Sequence, residues 1–178
     1  MKAMHLPKTE KGRKQALTVV SALLLSLLYF AIFSFSEQDG ETSGGLSLSI
    51  SRACAEVLDF ISGRNWTDSY RESLALYFEH PIRKLAHFTE YACMGVLYFG
   101  IWGPWKQLRP FPKRMMLLTT FLIALSASFD EIHQLFVPDR NGTPADVLLD
   151  TCGGLCGLLV IYGLTMLHIK HGEKKARK

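Results

Sequence analysis

Four stretches of this chain, 16–35, 85–102, 115–136 and 145–168, are apolar over about twenty residues each. At 1.5 Å per residue that matches a hydrocarbon core of roughly 30 Å. Inside lipid every backbone polar group has to be bonded within the structure, which leaves only helices and closed barrels. Unbroken apolar runs of this length select helices. The expectation is therefore an all-α integral membrane four-helix bundle with short amphipathic outer helices between spans one and two. The 178 residues suffice for one domain. It is placed at 16–168, with a basic tail at 1–15, an outer segment at 36–81 and a second basic tail at 169–178.

Charge supplies the orientation. The net +4 is not spread as on a nucleic-acid surface, and no nucleic acid is expected as a partner. Lys2, Lys8, Lys11, Arg13 and Lys14 precede the first span. Lys106, Arg109, Lys113 and Arg114 separate spans two and three, and Lys170, Lys174, Lys175, Arg177 and Lys178 follow span four. If the spans alternate, all three clusters lie on one side. The positive-inside rule then makes this a multi-pass plasma-membrane protein with both termini cytoplasmic. The clusters read as topology signals and contacts to anionic membrane lipids. The first span is read as a retained anchor, because it is longer than a signal-peptide core and no clear cleavage site follows. Cys93, Cys152 and Cys156 lie in spans and Cys54 outside them, so no structural disulfide is expected.

Between spans one and two, SEQDGETSGG reads as a polar turn. Leu46, Ile50, Ala53, Cys54, Val57, Leu58 and Ile61 then recur at helical spacing and form one stripe. A second short helix is expected from about Asp68 to Phe78, capped by Asp68. It should end at His80-Pro81, since a residue before proline avoids the helical region.

Ionisable residues within membrane-length segments are costly and mark candidate sites. His87, Glu90 and Tyr91 open span two. Asp130, Glu131, His133 and Gln134 close span three, and Asp146 and Asp150 open span four. On this topology all fall within roughly 10 Å of the outer interface, at 5.4 Å per turn. The helical period groups His87, Glu90, Tyr91 and Met94 on one face, and Asp146, Asp150, Gly153 and Gly157 on another. The glycines let a neighbouring helix come close. Lys84, Arg83 and Arg140 lie on the same side, against the positive-inside trend, and call for carboxylate partners or a negative ligand. Tyr29, Phe30, Phe33 and Phe35 read as interface belt and packing.

At these residues the chain resembles the VanZ-like family of bacterial membrane proteins. FSFSEQ is similar to that family's Ser and Gln motif, here Ser36 and Gln38. IRKLAHFTEYACMG is similar to its K-x-x-H-F-x-E-Y motif, here Lys84, His87, Phe88, Glu90 and Tyr91. SFDEIHQLFVPDRNGTPADVLLDTCGGLCG is similar to its block D-E-x-x-Q, P-x-R and D-x-x-x-[ND]-x-x-G, here Asp130, Glu131, Gln134, Pro138, Arg140, Asp146, Asp150 and Gly153-Gly154. Asp139 departs from the glycine the family usually has before the arginine. The resemblance implies a four-span protein of the cell envelope, in a family whose namesake is associated with low-level resistance to the lipoglycopeptide teicoplanin. It does not supply a reaction.

Two readings of the polar layer follow. In the first it binds a lipid-anchored envelope ligand or a lipoglycopeptide at the outer leaflet, through Ser36, Gln38, Lys84, Tyr91, Gln134, Arg140, Asp146 and Asp150. In the second, His87, Glu90, Asp130 and Glu131 do acid-base chemistry on a lipid-linked phosphate or sugar, with arginine holding the phosphate. No metal or other cofactor is called for by a short signature such as H-E-x-x-H. A divalent metal on His87, Glu90 and Asp130, Glu131 or His133 is the alternative kept beside it. Nothing around Ser36 resembles G-x-S-x-G, and a proton pathway would need polar groups at all depths.

Overall fold

The computed structural model describes residues 8–37, 40–105, 113–138 and 140–176. It is all-α: α1 (Lys8–Ser36), α2 (Gly40–Ser62), α3 (Asp68–Trp102), α4 (Lys113–Gln134) and α5 (Pro144–Ala176), with a 3-10 turn at Gly103–Trp105. Among the described residues three helices, α1, α4 and α5, are long and apolar enough to cross a membrane. The expected second span forms the C-terminal half of α3. His87, Thr89, Glu90 and Tyr91 in its first turns dilute its apolar character.

The central element is α3, which packs against α1, α2 and α5, while α4 leans mainly on α5 and touches α1 and α3 at few points. The α3–α5 crossing is close because both helices present small residues. A Cβ added to Gly157 would stand 1.9 Å from the Ala92 carbonyl oxygen, and one added to Gly153 2.4 Å from that of Phe88. On the facing helix, a Cβ on Gly95 would stand 2.0 Å from the Gly154 carbonyl oxygen. No side chain fits there without separating the helices, as the stripe Asp146, Asp150, Gly153 and Gly157 predicts. Leu25, Ile32, Tyr91, Met94, Tyr98, Ile123 and Ala127 form the apolar core beside this crossing.

Pro81 does not end a helix. It lies inside α3, which runs unbroken from Asp68 to Trp102. An interior proline costs about 3 kcal/mol through its lost N–H and ring clash. Packing offsets that cost, since α2 lies along the first half of α3 and joins it beside the proline, where Ser47 Oγ donates to Glu79 Oε1 at 2.7 Å. Farther along the pair, Arg52 holds Glu72 at 2.6 Å and keeps its carboxyl below the usual range.

Three other boundaries also differ from expectation. The cap of α3 is Thr67, whose hydroxyl accepts from the Tyr70 N–H at 3.3 Å, and Asp68 is the first helical residue. The polar turn before α2 is short, because α2 starts at Gly40 within the Gly-rich stretch; Gln38 and Asp39 lie outside the described residues. Both basic tails are partly helical, with α1 starting at Lys8 and α5 continuing to Ala176. The α2–α3 turn uses Gly63 and Asn65 at positive φ, the left-handed region those residues tolerate. Cys54, Cys93, Cys152 and Cys156 are free and exposed.

The start of α1 meets the ends of α3 and α5 in one recess, lined by Arg13, Lys14, Gly103 and Met166 among others. The basic residues of α1 and α5 are thus gathered at one end of the molecule. The polar layer lies at the other.

Candidate functional site

The polar layer begins in the last turns of α4. Asp130, Glu131 and Gln134 are each at most 6% exposed. The i, i+4 spacing of Asp130 and Gln134 puts them together, and Gln134 Nε2 donates to Asp130 Oδ2 at 3.1 Å. Ser36, fully buried at the end of α1, donates to Asp130 Oδ1 at 2.5 Å. Asp130 is thereby held on both oxygens by neutral donors from two helices.

The α4–α5 turn folds back onto Glu131. The Thr143 N–H donates to Glu131 Oε2 at 2.8 Å, and a Cβ on Gly142 would stand 2.0 Å from the Glu131 carbonyl oxygen. Thr143 also caps α5. Its hydroxyl accepts from the Asp146 N–H at 3.2 Å and approaches Asp146 Oδ2 at 2.8 Å. Pro144 occupies the first position of α5, where its missing N–H is no loss.

Across from α4, Lys84 Nζ donates to Asp146 Oδ1 at 2.6 Å, joining α3 to α5. Arg140 donates to the Phe35 carbonyl at 2.9 Å, joining the turn to α1. Arg83 stands 3.8 Å from Glu79 and 3.3 Å from His80 Nδ1. These groups surround a cleft of about 340 Å³ whose wall includes Arg83, Lys84, Arg140, His87, Glu131 and Asp150.

At the floor, one ring nitrogen of His87 and one carboxylate oxygen each of Asp130 and Asp150 lie within 4.8 Å of one another. Ligand atoms around a single divalent ion stand roughly 3–4 Å apart, given bonds near 2.1 Å, so small side-chain rotations close the set. Asp150 is 1% exposed, and neither of its carboxylate oxygens has a hydrogen-bond partner. His87 Nδ1 is likewise buried and unpartnered, 3.9 Å from Glu90 Oε2. An ionised buried carboxylate without a donor is among the most costly arrangements a protein can hold, so its charge is cancelled by a proton or by a cation. One nitrogen and two oxygens could hold a divalent ion such as Mn²⁺ or Zn²⁺.

The predicted residues are thus sorted. His87, Asp130 and Asp150 meet at the floor; Lys84, Glu131, Gln134, Arg140 and Asp146 line the cleft above; Ser36 supports Asp130 from behind. Glu90 lines a neighbouring recess with Phe35, Ser47 and Ile50, a recess His87 also borders, and its Oε2 stands 3.9 Å from His87 Nδ1. Tyr91 is 1% exposed and belongs to the core. Gln38 lies outside the described residues. Sequence reasoning did not single out His80, Asn141 or Thr143, which also line the cleft. Thr143 carries a signal, the capping spacing Thr143-x-x-Asp146 ahead of an apolar run. His80 was hidden by reading Pro81 as a helix end.

Comparison with known proteins agrees with the motifs. The family described as VanZ/LLP1 matches over residues 21–167. No curated protein and no solved structure matches the chain.

Proposed function

The chain belongs to the VanZ/LLP1 family, and on the geometry of its cleft we propose that it binds the phosphate of a lipid-linked envelope molecule and hydrolyses it with the help of a divalent metal. The observation that carries the proposal is Asp150, fully buried with both carboxylate oxygens unpartnered beside Asp130 and His87. Two adjacent buried carboxylates repel a phosphate. A dication between them cancels that charge and draws the phosphate in. Arg83, Lys84 and Arg140 stand above, with the fork geometry of arginine suited to phosphate oxygens.

In the reaction, His87, Asp130 and Asp150 would hold the ion, which would supply Lewis-acid activation of water and phosphate. Glu131, in the cleft wall with one oxygen fixed by the Thr143 N–H, accepts a proton from the attacking water. The water oxygen bonds to phosphorus, the phosphorus–oxygen bond to the leaving group breaks, and Glu131 passes the proton it accepted to the leaving oxygen. Glu90, with Oε2 3.9 Å from His87 Nδ1, would orient that ring rather than meet the ion. Binding without turnover is the second reading, favoured by the Lys84–Asp146 bridge that already neutralises part of the cleft. Either action would change the pool of envelope precursor that a lipoglycopeptide such as teicoplanin meets, and so lower susceptibility to it.

The test is metal dependence. Purified protein should contain close to one equivalent of a transition metal by elemental mass spectrometry. It should release phosphate from a lipid-linked phosphate or pyrophosphate, lose that release on chelation and regain it with Mn²⁺ or Zn²⁺. Protein that is metal-free as isolated, with turnover indifferent to chelators, sinks the metal-assisted reading.

The cleft is placed at the outer leaflet of the plasma membrane, with both termini cytoplasmic and the second half of α3 as the fourth crossing of a four-helix bundle. The gathering of basic residues at the opposite end supports this. In a background with the four native cysteines replaced by serine, Asn141→Cys, at an exposed position on the α4–α5 turn, should react with an impermeant thiol reagent in intact cells. Labelling only after lysis would reverse the orientation.

A further inference from the structure

An apolar groove of about 640 Å³ runs beside the cleft, between α1 and α4 and floored by Tyr91 and Tyr98 of α3. It exists because α1 and α4 barely touch. On α4 the lining residues Leu122, Leu125, Phe129 and Ile132, continued by Phe136 beyond the helix end, follow one helical stripe. They extend roughly 20 Å along the axis at 1.5 Å per residue. Phe33 edges onto His133 at 5.3 Å to form the opposite lip. Leu125, Phe129 and Ile132 are 41–57% exposed, so the groove is open along its side. One end carries the hydroxyl group of Tyr29, bonded to Ser126 at 2.5 Å and to Tyr98 at 3.1 Å. Toward the other end it is lined by Asp130.

Asp130 is the seam. It lines the groove and also belongs to the ligand set at the floor of the cleft, and Gln134, which bonds to it, lines the cleft. The two spaces meet at this buried carboxylate, so the end of a hydrocarbon chain in the groove lies next to the carboxylate cluster. We propose that the α1–α4 groove seats the single isoprenoid chain of the lipid phosphate whose head group occupies the cleft. This deepens the function proposed above and rests on it.

Two observations choose a single branched chain over a diacyl lipid. Among the described residues, the α1–α4 groove is the larger apolar space beside the site: the recess that shares Arg83 and His87 with the cleft is about 150 Å³, too small for a second chain. And the groove is walled by rings and branched side chains, among them Tyr29, Phe33, Phe129, Ile32 and Ile132. These leave a corrugated surface, into which a methyl-branched chain interlocks and along which a straight acyl chain makes fewer contacts.

The experiment compares ligands of one head group and growing chain with a diacyl lipid of similar head. Binding of dimethylallyl, geranyl, farnesyl and geranylgeranyl phosphate, of dioleoyl phosphatidate and of inorganic phosphate is measured on the full-length protein at fixed detergent. Wild-type affinity should rise severalfold with each added isoprene unit until the groove is full, with phosphatidate weaker than the longest prenyl phosphate. Leu125→Trp and Ile132→Trp, which fill the groove from positions outside the cleft, should each weaken the longest ligand by about tenfold. They should leave inorganic phosphate and metal content unchanged. If a tryptophan variant does not fold, a benzophenone amino acid at Leu125 should cross-link the prenyl chain in its place. Affinity independent of chain length, phosphatidate binding as tightly as the prenyl series, or no cross-link at Leu125 would overturn the groove assignment. In that case intact inorganic phosphate and metal binding leave the cleft reading standing. Loss of those two in the wild-type protein overturns both.

Discussion

Asp150→Asn is expected to empty the floor of the cleft: metal content should fall from close to one equivalent to below about a tenth, and phosphate release by at least a hundredfold. The substitution keeps the shape of the side chain and removes only the charge and one ligand oxygen. Asp150 stands in α5 one turn ahead of the Gly153–Phe88 contact, and nothing in that packing needs a carboxylate. Removing an uncompensated buried charge is neutral or stabilising when the shape is kept. The melting temperature of the metal-free variant should therefore equal or exceed that of metal-free wild type, while the wild type alone gains stability on adding Mn²⁺ or Zn²⁺, as binding to the native state requires. Both readouts are needed. A variant that loses activity and also melts early would show only that the bundle tolerates no change there. A variant that keeps its metal would remove Asp150 from the ligand set, and with it the main support for a metal at this site. Ser36→Ala should act in the same direction but more weakly, since it removes the 2.5 Å donor to Asp130 and no ligand.

Much of this architecture is legible in the sequence because membrane helices obey few rules. Length and apolarity give the helices. The 3.6-residue period places Gly153 and Gly157 beneath Asp146 and Asp150, and the structure has both glycines against the backbone of α3. What periodicity cannot give is the rotation of each helix about its own axis. His87 and Glu90 share a face, and only the packing partners decide that His87 reaches Asp130 and Asp150 as well as the recess against α2 that Glu90 lines. The same limit hides the pairing of His87 with Asp150, since the two lie on different helices with no spacing to connect them. Pro81 misled for a local reason: the preference of the preceding residue is real, but α2 packed alongside outweighs it. The α1–α4 groove has no sequence signal, because it is a gap where two helices fail to meet.

Lys84 separates phosphate binding from a purely structural role, because Asp146 competes for it. The pair stands at 2.6 Å with Asp146 partly exposed to the cleft, so a phosphate entering between Lys84 and Arg140 takes the lysine from the carboxylate. If Lys84 holds the ligand, Lys84→Met should weaken binding of a lipid-linked phosphate by about tenfold, since the lysine is partly exposed and its charged contact is screened by solvent. Asp146→Asn should then tighten binding severalfold, since it frees the lysine and removes a repelling charge. Joined in one chain, Lys84→Met and Asp146→Asn should still bind well below wild type, since removing the repelling charge does not replace the lost lysine contact. If the bridge serves only to tie α3 to α5, the signs differ. Asp146→Asn would weaken binding by loosening the helices, and the double variant would recover much of what Lys84→Met loses, because no unpaired carboxylate is left behind. Titration of the four proteins with one prenyl phosphate distinguishes the two. Tighter binding by Asp146→Asn is the outcome that a structural bridge cannot produce.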